Sequence, residues 1–235
     1  MATPTPIHDF LKQYAESGFE RCHTPGHKGL FPPDAVAKTT SPVFDITEVN
    51  GQSIEIIRQS ERIAADLFGA KRTLFSCSGS TLAISAMLTP FANRRIAAVR
   101  GVHRSVIDAA ILLNIDIDWL YPDSPLKIAP ETTAVLTTSI DYYGSREPRL
   151  AKPNLNSDEL PKPDLSAFAD LPVPLLVDNA HGAYTVLTQT HPLKLGAVMT
   201  AESAHKTLPA LTGAAYLHIS RDCPAEYAKI AENAM

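Results

Sequence analysis

The chain has 235 residues, 45% of them hydrophobic, with 21 basic and 25 acidic side chains and a net charge of −4. That is enough apolar material for one substantial core, or for one domain with a small arm. No Lys/Arg cluster is long enough to follow a phosphate backbone, which argues against nucleic acid as a partner, and no apolar run approaches the length of a bilayer span.

The start, Met1-Ala-Thr-Pro-Thr-Pro6, lacks the basic residues and apolar stretch of a secretion signal, so the expectation is an unexported, cytoplasmic protein. From Ile7 to Ser17, the positions Ile7, Phe10, Leu11 and Tyr14 share one helical face and Gly18 offers a stop, which predicts a short amphipathic arm. Pro25, Gly26, Gly29, Pro32 and Pro33 then forbid regular structure, so His23 to Pro33 is expected to be a loop. His23 and His27 in that loop are rejected as a metal pair, because Pro25-Gly26 prevents the helix that would align their rings, and no metal site is expected. A second helix is predicted from Ser53 to Phe68, closed by Gly69.

From Thr73 onward, strand-like apolar runs alternate with helical or turn-rich segments. The runs are Thr73–Cys77, Ile96–Val99, Ile117–Leu120, Ala134–Thr138, Leu175–Val177, Ala197–Thr200 and Ala214–Ile219. This alternation predicts an α/β fold: a mostly parallel sheet of seven strands with flanking helices. Residues 1–52 are read as an N-terminal arm and loop, and 53–235 as the main domain. Gly144 to Pro163, rich in proline and charge, is expected to be a surface loop. Cys22, Cys77 and Cys223 are odd in number and far apart with no CxxC pair, which fits reduced thiols.

Three segments carry candidate chemistry. Lys206, in Ser203-Ala-His-Lys206, lies between two apolar runs, where a lysine can hold pyridoxal phosphate (PLP) as a Schiff base. Ser203, His205 and Lys206 are expected in a tight turn whose donors converge on one small anion. Asp178 ends the strand of Leu175-Leu-Val-Asp178, and a strand-end carboxylate can pair with the pyridine nitrogen of PLP and keep it protonated. Ser78-Gly79-Ser80-Thr81 follows a strand and opens a helix, which makes it the expected phosphate cup.

His23-Thr-Pro-Gly-His-Lys-Gly29, Asp45-Ile-Thr-Glu48, Ser78-Gly-Ser-Thr81, Asp178-Asn-Ala-His-Gly182 and Ser203-Ala-His-Lys206 occur in the order seen in the ornithine/lysine/arginine decarboxylase family. The sequence resembles that family from about Ile7 to Ile219. The resemblance implies the PLP-dependent, aspartate-aminotransferase type of fold, with the last sheet strand antiparallel. It implies Lys206, Asp178 and His103 as catalytic residues. His103 would stack on the cofactor ring opposite Ala180, with His181 near the ring, and Tyr142 and Tyr143 are candidates for the pocket wall. Leu82-Ala83 stand where the family has a further small residue after the cup, and the segment after Glu48 is shorter than in relatives.

The implied activity is decarboxylation of a basic amino acid (arginine, lysine or ornithine) by a homodimer or higher homo-oligomer. Family members continue past the lysine segment into a C-terminal small domain, whereas this chain stops at Met235, so turnover is expected to be impaired. The alternatives are a cofactor-binding fragment without catalysis, a dimerisation partner of a full-length relative, and other PLP chemistry such as aminotransfer.

Overall fold

The computed structural model describes residues 3–18, 52–121, 126–140, 165–208 and 210–235, with backbone alone at 52–54. The expectations on His23, His27, Cys22, Asp45 to Gly51, Tyr142, Tyr143 and the loop from Gly144 to Pro163 lie outside these residues. The chain divides into two compact units, Met1–Ala64 and Ala65–Met235.

In the first unit, helix α1 runs Pro6–Glu16. Proline suits the first helical position, where its missing N–H has no partner to lose. Thr5 donates its hydroxyl to Asp9 at 2.9 Å, and the rings of Phe10 and Tyr14, one turn apart, stack with centroids 6.1 Å apart. Helix α2, Gln52–Phe68, begins in this unit and ends in the second. Its exposed face carries an Arg62–Glu55 ion pair at 2.7 Å, and Gly69, in the left-handed conformation at φ +69°, terminates it.

The second unit is built on one seven-stranded sheet. Its strands are β1 (Arg72–Ser76), β2 (Arg95–Val99), β3 (Asp116–Leu120), β4 (Thr132–Thr138), β5 (Leu175–Asp178), β6 (Met199–Glu202) and β7 (Ala215–Ile219), in the spatial order β1-β7-β6-β5-β4-β2-β3. The pairs from β3 through β6 are parallel, and β7 runs antiparallel to both β6 and β1. The expected architecture is therefore present, including the single reversed strand. Strand boundaries differ from the sequence reading by one or two residues. The largest shift is at β6, because Gly196 at φ +99° and the bond from Ala197 N–H to Pro192 O still belong to the preceding turn.

Alternation of side chains divides the sheet into two faces. Leu74, Ala98, Leu136, Leu176, Met199, Ala201 and Leu217 point to one face. There they pack against α3 (Gly79–Leu88), α4 (Arg104–Leu112) and α6 (Ala225–Ala234) through Ile84, Met87, Val106, Ala109 and Ala231. Each fully buried leucine on this face contributes about 1.5–3 kcal/mol. The other face carries Ala97, Val99, Val135 and Val177, packed with Leu165 and Phe168. The carboxyl ends of β1, β2, β5 and β6 are where the site residues gather, as expected of a sheet whose faces are covered. Among the described residues no helix is long and apolar enough to cross a membrane.

Candidate functional site

The cup forms where β1 turns into α3. Ser76 Oγ accepts the N–H of Ser78 at 3.0 Å and donates to the carbonyl of Gly79 at 3.3 Å, closing the turn on itself. Gly79 sits at φ +69°, and its N–H donates to Gly213 O at 2.9 Å. Ser78 takes the N-cap position of α3 without using its hydroxyl as a cap, and Ser78 and Thr81 are exposed. The open N-terminus of a ten-residue helix, rimmed by hydroxyls, is an anion site in charge and in donor geometry. Ala83, two positions past the cup, is fully buried in the core.

A second element completes the rim. The residues after β6, where a tight turn is expected, form a single helical turn, α5 (Ala204–Thr207). Ser203 caps it and donates its hydroxyl to Ser80 at 2.8 Å, joining the lysine segment to the cup. Lys206 is exposed, and its Nζ lies 3.1 Å from Nε2 of His181. His205 Nδ1 lies 3.0 Å from the carbonyl of Ala214, on the lead into β7.

Asp178 closes the group from the end of β5. It is buried, and Oδ1 accepts the N–H of Ala180 at 3.0 Å. Burial pushes its carboxyl above the usual range, against the opposing pull of the Ala180 N–H and of the fields of His103 and Lys206. Among the described residues it forms no ion pair. A buried carboxylate in that condition favours a cationic N–H partner. His103 caps α4, with Nδ1 accepting the N–H of Ser105 at 3.2 Å, so the neutral ring carries its proton on Nε2, and the ring is exposed.

The geometry thus brings together Ser80 with Ser203, Lys206 with His181, and Asp178 with the fields of His103 and Lys206. A hydroxyl-lined helix N-terminus, a primary amine and a buried carboxylate without an ion pair are, in chemical type, groups suited to the phosphate, aldehyde and ring nitrogen of PLP.

One cluster escaped the sequence reading. Behind the site, on the opposite face of the sheet, His191, Glu202 and His218 are fully buried with their ligand atoms close together. His191 Nε2 lies 2.6 Å from Glu202 Oε1, and His218 Nε2 lies 3.3 Å from Oε2. His191 Nδ1 accepts the N–H of Leu193, so its Nε2 carries the proton and donates. At 2.6 Å the His191–Glu202 contact is a hydrogen bond, closer than the roughly 3.3 Å separation of two ligands sharing one tetrahedral ion at about 2.0–2.2 Å. Burial alone would raise the Glu202 carboxyl, but the charge and hydrogen bonds of His191 and His218 overcome it and hold the group far below the carboxylate range. Burial also depresses His218 below the ordinary histidine value. The available signal was His218 itself, a lone polar residue between Leu217 and Ile219 in a core strand, which had to find a partner.

No protein-family model matches the chain. Among curated proteins, it is similar to an uncharacterised protein of Bacillus subtilis (strain 168), YaaO, at 29% identity over 259 residues, covering 97% of this chain and 51% of that one. It is also similar to an arginine decarboxylase of the same organism at 26% identity over 250 residues, covering 92% of this chain and 48% of the relative. The chain spans about half the length of the curated relatives it matches. Among solved structures, lysine decarboxylase A from Pseudomonas aeruginosa superposes with a TM-score of 0.70 at 16% identity, over 98% of this chain and 37% of that one. The Francisella novicida lysine decarboxylase LdcF gives 0.68 at 17% identity, over 98% and 37%. At these identities the likeness is one of fold. The chain has a PLP-dependent decarboxylase-like α/β fold.

Proposed function

We propose that this chain binds PLP and serves the decarboxylation of a basic amino acid. The observation that carries the reading is the gathering, at the carboxyl ends of the strands, of the Ser80–Ser203 hydroxyl pair, the Lys206 amine and the buried carboxylate of Asp178, which feels the charge of Lys206. The names of the curated relatives, arginine decarboxylases among them, support the substrate class.

The roles follow from chemistry already described. Ser78, Gly79, Ser80 and Thr81 at the α3 N-terminus, with Ser203, hold the phosphate. Lys206 supplies the amine that carries the aldehyde, Asp178 supplies the counter-charge for the ring nitrogen, and Ala180 and His103 flank the ring. When bound, the cofactor supplies the electron sink that lets carbon dioxide leave the amino acid's α-carbon. Burial of Asp178 keeps water from screening its charge, so the full effect of the carboxylate is available to the group it faces. The 3.1 Å contact between Lys206 Nζ and His181 Nε2 is a path by which the amine can gain or shed a proton. His205, bound to Ala214 O, braces the turn that presents Lys206. The same reading places the protein in the cytoplasm as a homo-oligomer.

Because the chain spans about half the length of those relatives, a second reading is kept: a unit that binds PLP without turning substrate over. One experiment serves both. Purified protein is mixed with PLP, followed by visible absorbance, reduced with borohydride and mapped by mass spectrometry. An adduct on Lys206 that disappears in Lys206→Ala is expected, and its absence from the wild type refutes the reading. Carbon dioxide release from arginine, lysine or ornithine then separates the enzyme from the binder.

A further inference from the structure

The proposed chemistry leaves the buried cluster behind the sheet without a task, yet the cluster touches the two strand ends that matter most. Strands β5 and β6 are parallel neighbours, with Asp178 in register with Ala201. Each leaves the sheet through two consecutive residues of opposite facing. Asp178 and Ser203 turn to the face of α3, where Ser203 meets Ser80. Asn179 and Glu202 turn to the other face, where the Asn179 amide donates to Glu202 Oε1 at 2.5 Å.

This back pair is held from every side. Ser139, beyond the end of β4, donates its hydroxyl to the Asn179 side-chain carbonyl. His191 and His218 donate to the two oxygens of Glu202, and Thr73 on β1 holds the far nitrogen of His218 at 2.8 Å. Phe68 stacks on the His218 ring at 4.2 Å and seals the cluster. The turn after Asp178 wraps closely around the same amide: a Cβ on Gly182 would fall 2.1 Å from Asn179 Oδ1. The network therefore ties β1, β4, β5, β6 and β7 together directly behind the residues of the site.

We propose that Glu202 is a positioning residue of this site, which acts through Asn179 to fix the spacing between the strand ends that carry Asp178 and Ser203. The inference rests on reading the front face as a PLP site. An ionised carboxylate is costly to bury, and its place here is intelligible because it accepts three donors at once, which no neutral side chain of similar size does as well. The isostere comes nearest. In Glu202→Gln the remaining oxygen still serves Asn179 and His191, and the amide can donate to His218 once that ring takes its other tautomer, which the Thr73 hydroxyl accommodates. Glu202→Ala leaves all three donors unpaired.

The test uses the full chain with two independent readouts. Hydrogen exchange without cofactor reports the strand ends through two amides, Asn179 N–H on Ala201 O and Lys206 N–H on Ser203 O. PLP affinity, by absorbance titration and borohydride trapping on Lys206, reports the site. Asn179→Ala and Glu202→Ala are expected to speed exchange at both amides about tenfold and to weaken PLP binding by a similar factor, while Glu202→Gln stays within about twofold of wild type in both. If Glu202→Ala does not fold, Asn179→Ala, which leaves fewer donors stranded, decides alone. Unchanged exchange in Asn179→Ala overturns the clamp, and faster exchange with wild-type affinity overturns its role in positioning. Wild-type protein that takes up no PLP refutes the functional reading, and exchange then decides the clamp by itself.

Discussion

The hydroxyls of Ser80 and Ser203, 123 positions apart in the chain, share a hydrogen bond of 2.8 Å. That bond draws the N-terminus of α3 and the turn bearing Lys206 into one rim. Ser80→Ala or Ser203→Ala is expected to weaken the affinity for PLP, and for inorganic phosphate as its competitor, by about two- to tenfold. The melting temperature should fall more for Ser203→Ala than for Ser80→Ala, because Ser203 is fully buried and Ser80 only half-buried. Titration with each ligand checks the first part and thermal unfolding the second.

Asp178 is retained at a cost. Its carboxyl is raised above the ordinary value of 3.8, first by burial, so the folded state holds the proton more tightly than the unfolded chain does. Ionised at neutral pH, it works against folding. Asp178→Asn keeps an oxygen for the Ala180 N–H and removes the charge. The cofactor-free variant is expected to be more stable by roughly 1 kcal/mol, a rise of about 2–4 °C in melting temperature, while any decarboxylation collapses. A variant that melts lower than wild type contradicts this account of the site.

Acid should act through the buried cluster. Glu202 has its folded value depressed below 4.5, so its contribution is complete above that point and drains away as the pH falls further. His218 is depressed below 6.5, so between that value and its folded value only the unfolded chain takes up the proton, which also removes stability as the pH falls. Asp178 has the opposite sign and offsets part of the loss. Urea midpoints are expected to drop from neutral pH to about pH 5 and more steeply below about pH 4.5, with Glu202→Gln flattening the lower part.

Gly213 braces the cup from the β7 side. It lies at φ +96°, and an added Cβ would meet the Cys77 carbonyl at 2.7 Å. Gly213→Ala therefore combines backbone strain with a clash against a main-chain oxygen, together about 2–4 kcal/mol. Gly101, at φ +113° with open space around it, supplies the control, since alanine there carries the strain alone. Gly213→Ala should melt lower than Gly101→Ala and lose phosphate affinity. Equal behaviour of the two would show that the close approach to Cys77 relaxes without consequence.

Much of this was legible in the sequence because a mostly buried sheet writes itself as short apolar runs between helical or turn-rich segments, and all seven runs became strands. The reversed direction of β7 was not written in its residues; it came from the resemblance. Lys206, Asp178 and Ser78 to Thr81 were legible because each ends or follows a strand. The contact of the His205 ring with the Ala214 carbonyl was not legible, because nothing in the lysine segment says how the chain returns into β7. The His191–Glu202–His218 cluster stayed hidden because its members are far apart in the chain, and only the register of β6 against β7 and the turn at His191 bring them together.

The position of β1 at the sheet's edge has a further consequence for how the chain acquires its shape. It joins the sheet through β7 alone, as in the pairing of Thr73 with His218, 145 residues later. At a synthesis rate of about 5–20 residues per second, β1 waits roughly 7–30 s for β7, its one partner among the described strands. Until then Leu74 and Phe75 lack their lasting shelter and the cup has no brace. A ribosome that pauses before His218 holds a chain in which the phosphate-binding turn has been translated but cannot yet set.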